Sequence, residues 1–167
     1  MTPEEFCEKY VITIDQFYGK QPYDRQFICN DKKIPDGFNP VVNGNLRLDM
    51  IKKLPSDFKP IVNGSLFLDS LTVLPKNFKP IVSSILWLQY IEKLPDNFNI
   101  IIGNDLILSS LKKIPKNFNP TVGGDLYLDA ITVLPNDFNP TVGNYIFINI
   151  KCVIPPHINE KYKFLRK

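Results

Sequence analysis

Proline recurs in this chain on a beat of twenty residues. One register holds Pro35, Pro55, Pro75, Pro95, Pro115, Pro135 and Pro155, and a second holds Pro40, Pro60, Pro80, Pro120 and Pro140. Proline inside a helix removes a hydrogen bond and clashes with the preceding turn, so this spacing rules out a helical bundle. A disordered proline-rich linker is excluded as well, because 44% of the residues are hydrophobic and only 22% are charged. A fixed period of this length is the signature of a solenoid, in which one unit cannot bury its apolar side and must stack on its neighbours. The 167 residues suit a single domain.

Alignment on the prolines gives the unit L-x-L-x-x-[LI]-x-x-[LI]-P-x-[ND]-F-[NK]-P-x-V-x-G-x, with six apolar columns. In one unit these are Leu66, Leu68, Leu71, Leu74, Phe78 and Val82, and their counterparts recur twenty residues before and after. The L-x-L pair has the period of a strand with both leucines on one side. Parallel strands stacked one per unit repeat about every 4.8 Å, so six or seven rungs span roughly 30 Å. The leucine-proline step then turns the chain. The column Asp57, Asn77, Asn97, Asn117 and Asp137 is expected to bond turn amides or stack as a ladder. Gly44, Gly64, Gly103, Gly123, Gly124 and Gly143 sit at the opposite corner, where a positive φ is expected.

The stretch from Lys112 to Pro135, KKIPKNFNPTVGGDLYLDAITVLP, resembles the roughly twenty-residue leucine-rich-type repeats of bacterial and bacteriophage proteins. The resemblance extends over residues 26 to 158 and implies a solenoid that interacts with proteins rather than one that catalyses. Ile51, Leu71 and Ile91 stand where a standard leucine-rich repeat carries asparagine, so the usual asparagine ladder is expected to be missing there. The expected fold is therefore mainly β, a single-domain solenoid of six to seven rungs. A leucine-rich-repeat-like coil and a closed triangular β-solenoid both fit.

Residues 1–25 are expected to form an N-terminal cap, 26–158 the solenoid and 159–167 a basic tail or cap. Thr2-Pro3-Glu4-Glu5 reads as a helix start, with Thr2 as N-cap and Glu5 completing a capping box. Phe6 and Tyr10 would share the face laid on the first rung. Phe27-Ile28 aligns with Arg47-Leu48 as a partial rung. At the other end Tyr162 and Phe164 are positioned to fold over the last unit.

The formal charge is +3, and Lys161, Lys163, Arg166 and Lys167 account for all of that excess, leaving the repeats nearly neutral. Nucleic-acid binders carry a basic stripe, and none is expected outside the tail. The first residues lack the basic and apolar regions of a secretory signal, and no segment has the length of a membrane helix. Cys7, Cys29 and Cys152 lack metal-ligand spacing. A reduced, cytoplasmic protein with no membrane contact, metal or cofactor is the expectation.

No enzyme motif stands out. His157 has no nucleophile at a recognisable spacing, and there is no phosphate-cradling loop or zinc motif. The informative column is the x of L-x-L, which points away from the core: Phe27, Arg47, Phe67, Trp87, Ile107, Tyr127 and Phe147. A solvated strand would be polar there. An apolar stripe of roughly 500 Å² is expected instead, about the size of an interaction patch. The middle unit departs from the pattern with Ser83-Ser84, Trp87, Tyr90 and Ile100. Tryptophan and tyrosine are enriched at interface centres, and Asp49, Asp69 and Asp129 would form a polar rim. The expected function is noncatalytic binding of a protein, heterologous or a second copy, through Arg47, Phe67, Trp87, Tyr90, Ile107, Tyr127 and Phe147. An inhibitor of another protein is one form of this. Glycan binding on the aromatic platforms and a self-associating structural array are the alternatives.

Overall fold

Each twenty-residue unit folds into one turn of a coil because its apolar columns point inward while proline and tight corners redirect the chain. The computed structural model describes residues 1–167 as a parallel β-solenoid of about seven turns with a short N-terminal helical cap. The cap comprises α1 (Pro3–Tyr10) and α2 (Ile14–Phe17). The first turns contain β1 (Pro22–Tyr23), β2 (Phe27–Ile28), β3 (Val41–Val42), β4 (Leu46–Arg47), β5 (Ile61–Val62) and β6 (Leu66–Phe67). The middle turns contain β7 (Ile81–Val82), β8 (Leu86–Trp87), β9 (Ile101–Ile102) and β10 (Leu106–Ile107). The last contain β11 (Thr121–Val122), β12 (Leu126–Leu128), β13 (Thr141–Val142), β14 (Ile146–Ile148), α3 (Pro156–Asn159) and β15 (Phe164–Arg166).

Odd strands β1 to β13 form a first parallel sheet, and β2 to β14 with β15 at the end form a second. A third side of each turn is joined more sparsely, by bridges Val73↔Lys93 and Val133↔Val153. Register is strict in the middle: Leu46, Leu66, Leu86, Leu106, Leu126 and Ile146 pair in series. At the ends it shortens, with Phe27 opposite Leu46 and Ile146 opposite Phe164.

The six apolar columns are the core. Val62, Leu66, Leu68 and Leu71 are fully buried, and Leu74 and Phe78 nearly so. Burying one such leucine contributes about 1.5–3 kcal/mol. Phe38, Phe58, Phe78 and Phe98 stack in a ladder with ring centroids 6.4–6.5 Å apart. The second proline register is buried too, and Ile100 fills its place in the middle unit at 7% exposure. That substitution is thus a packing replacement at the start of β9, on the first sheet, and not a neighbour of Trp87.

Polar side chains close the corners. Asn45 Oδ1 accepts from the Ser65 amide (2.8 Å), Asp105 Oδ1 from Asp125 (2.8 Å) and Asp125 Oδ1 from Tyr145 (3.0 Å). A second series runs from Asn99 to the Asn119 amide and from Asn119 to the Asn139 amide. Ladders therefore exist, but before the strands rather than after them. In the turn column Asn117 donates to Asn97 (2.9 Å), and both adopt a left-handed conformation, as Gly37 does one end earlier in the same column. Asparagine tolerates that region.

The corner glycines are not left-handed; only Gly19 and Gly37 have positive φ. Their cause is close approach: a Cβ on Gly123 would strike the carbonyl oxygen of Gly103 one rung away. Charge is also distributed unevenly around the coil. The stacking gathers Lys32, Lys33, Lys52, Lys53, Lys112 and Lys113 on the third side, in two groups interrupted by Thr72-Val73 and Glu92, a local clustering that near-neutral totals conceal.

Thr2 and Glu5 form the anticipated capping box of α1. Phe6, buried completely, packs against Tyr10, Phe17, Phe27 and Phe38 and closes the first turn. Tyr162 closes the last, edge-on to Phe138 and donating from its hydroxyl to the Pro140 carbonyl at 2.8 Å. No helix is long and apolar enough to cross a membrane.

Candidate interaction surface

The outward column of the second sheet is set by the alternation of L-x-L: while Leu66 and Leu68 point in, Phe67 points out. Its members stack in register as Ile28, Arg47, Phe67, Trp87, Ile107, Tyr127, Phe147 and Leu165. Two positions differ from expectation. Phe27 is buried, in the core column opposite Leu46, because the first turn is one residue short; Ile28 takes the outward place. Ile107 is in the column but only 6% exposed, set between the larger Trp87 and Tyr127.

Arg47, Phe67, Trp87, Tyr127 and Phe147 are half-buried. They form two aromatic pairs. Phe67 and Trp87 lie 6.2 Å apart at 34°, and Tyr127 and Phe147 are parallel at 4.4 Å. A cation covers each outer flank. The Arg47 guanidinium lies 4.3 Å from the Phe67 ring centre, held by Asp49 at 2.8 Å. Lys167 Nζ is 4.4 Å from the Phe147 ring and 4.9 Å from Tyr127. Such contacts add about 0.5–1 kcal/mol at exposed sites. The Trp87 indole N–H donates to Gln89 Oε1 at 3.2 Å, so the ring presents apolar surface with its polar atom already satisfied.

Tyr90 belongs elsewhere. It is 53% exposed on the adjoining corner, in a polar depression with Asp69, Ser70, Glu92 and Ser110. The structure thus joins Phe67 with Trp87 and Tyr127 with Phe147, separates the pairs by Ile107, and sets Tyr90 to one side.

The acidic flank is partly desolvated, with Lys167 Nζ 3.7 Å from Asp129 Oδ1. Asp49, Asp69 and Asp129 each bury one carboxylate oxygen without a hydrogen-bond partner. Burial, then the neighbouring Asp49 charge, pushes the Asp69 carboxyl above its ordinary range, against the pull of Arg47. Burial and the charges of Asp125, Asp105 and Asp129 likewise raise the Tyr127 phenol, which stays protonated. No group of histidine, cysteine or carboxylate side chains is placed to hold a metal ion, and burial raises all three thiols.

One surface was not anticipated. On the first sheet Ile61, Ile81 and Ile101 are 36%, 60% and 76% exposed. The signal lay in the adjacent apolar pairs Ile61-Val62, Ile81-Val82 and Ile101-Ile102, since neighbouring residues of a strand cannot both face the core. Comparison with protein-family models, characterised proteins and solved structures found no match.

Proposed function

We propose that the chain is a noncatalytic interaction module that binds a protein through the outward column of its second sheet. The observation carrying this reading is the two pre-arranged aromatic pairs, Phe67 with Trp87 and Tyr127 with Phe147, on either side of buried Ile107, with the Trp87 indole N–H already bonded. A partner would cover apolar surface there at little cost in side-chain entropy or unmet polar groups. Arg47 and Lys167 at the two ends supply the charged margin typical of an interface rim. The resemblance of Lys112–Pro135 to leucine-rich-type repeats of bacterial and bacteriophage proteins favours the same class, and an inhibitor that occupies another protein is its most concrete form.

The test is to change Trp87→Ser and Tyr127→Ser, singly and together, and follow affinity capture of partners along with mass in solution. Loss of a specific protein partner, with melting still cooperative, supports the reading. Unchanged association by an intact fold overturns it, as does a partner shown to be a glycan.

A further inference from the structure

The third side of the coil carries a surface independent of the aromatic column. In-register stacking puts Lys52 and Lys112 in one column and Lys53, Lys93 and Lys113 in the next, all exposed. Lys32 and Lys33 begin the same two columns. Beyond the proline corner, Lys76 shares a shallow depression with Lys52 and Lys53, and Lys116 shares another with Lys93 and Lys113. The acids nearby are Asp36, Glu92 and Asp96, with Asp31 beside Lys32 and Lys33, Asp69 in the depression that holds Lys52, and Asp57 and Asp137 at the edge, so the lysines outnumber them only modestly. Only Glu92 is engaged by a lysine of this side, Lys112 at 2.7 Å, which holds its carboxyl below the usual range. Of the rungs without the lysine doublet, one presents Glu92-Lys93 and three present valine, with Val73, Val133 and Val153 exposed by 68%, 60% and 63%.

That composition discriminates among polyanions. Between Asp31 and Pro155 this side has no arginine, and the one exposed ring beside it, Tyr90, stands alone at the corner in the depression it shares with Lys52 and Glu92. Nucleic acids are read by forked guanidinium donors and stacking platforms, and a phosphodiester backbone would leave the valines uncovered. A lysine ammonium is a point charge on a flexible stem, suited to a fluid array of anionic headgroups. Short aliphatic side chains among lysines gain from the boundary between headgroup and acyl chain.

We propose that this side docks peripherally on an anionic bilayer, leaving the aromatic column on another side of the coil free. The contact needs no spanning helix, so it departs from the expectation of no membrane contact without conflicting with the absence of such a helix.

The experiment is co-sedimentation with vesicles of phosphatidylcholine alone and with about 30% phosphatidylserine, a content that gives the surface a strong negative potential. The expected result is binding to the anionic vesicles only, weakened about tenfold or more between roughly 0.05 and 0.3 M salt as the charges are screened. Reversal of four exposed lysines, K52E/K53E/K112E/K113E, should abolish it while circular dichroism and melting stay as in the parent. Trp87→Ser should bind vesicles normally, which separates this proposal from the one for the aromatic column. Equal binding to neutral vesicles, an inert charge reversal, or a short DNA duplex that displaces the protein from anionic vesicles at equal salt would each overturn it.

Discussion

The two sheets bury the same kind of side chain inward and treat the outward one differently. On the second sheet the outward rings are large, half-buried and joined in two pairs, and a cation covers each outer flank. On the first sheet the outward isoleucines are smaller yet more exposed, reaching 76% at Ile101. The difference lies in the neighbours along the rung. Phe67 is flanked by buried Ser65 and half-buried Asp69, whereas Ile81 is flanked by exposed Lys79 and Ser83. The first sheet is also least well knit there: β7 and β9 pair only through Val82↔Ile102. Exposure therefore follows the burial of a residue's neighbours along the rung more than its hydrophobicity, and the more exposed stripe is the less well paired one.

That contrast can be broken from inside. Leu66→Ala, in the inward column of the second sheet, should cost about 3 kcal/mol, or roughly 10 °C in a domain of this size. Val62→Ala on the first sheet removes fewer methyl groups and should cost about half as much. Thermal melts of both variants measure the ratio, and equal losses would mean that the first sheet loses more per methyl group removed and is the more tightly packed inside.

The outward faces give a smaller effect. Trp87→Ser removes the Phe67 contact and the Gln89 bond and should cost about 1–2 kcal/mol, while Ile101→Ser should fall within about 0.5 kcal/mol of the parent. Denaturant midpoints with an unchanged slope decide it, and the same loss at both positions would erase the distinction drawn between the stripes.

The smallest effect is the sharpest in sign. Because Asp69 binds its proton more tightly folded than unfolded, the stability of the protonated form is present at low pH and is lost as pH rises through the folded value. At neutral pH the ionised carboxylate is a cost that Asp69→Asn removes. The variant should melt about 1–3 °C higher at pH 7, with the gain shrinking as pH falls into and below the carboxylate range. A constant gain across that window would show that burial of Asp69 is not the cause.

Much of this could be read from the sequence, for identifiable reasons. A repeat averages out local noise, so Leu66, Leu86, Leu106 and Leu126 declare a column that no single leucine could. The capping box at Thr2 was legible because it is a local device with few competing meanings. What failed were readings that needed the third dimension or broke the period. Phe27 was placed outward because a nineteen-residue spacing to Leu46 looks like a twenty-residue one to Arg47. The corner glycines suggested unusual dihedrals, but their reason is a carbonyl one rung away, which no local pattern encodes. The lysines of the third side were hidden by a net charge that sums over all sides at once. Ile107 resembled its aromatic neighbours by column, and only their size explains why it is covered.

Strict register has a kinetic consequence. Leu46, Leu66 and Leu86 meet across equal stretches of chain, and so do their counterparts through Ile146. Each rung therefore closes a loop of the same length onto a template already in place, and the entropy of closure does not rise with the number of rungs. Folding can advance as a zipper whose step is independent of how long the coil has become, and the separation between partners along the chain, which slows most β proteins, stays constant.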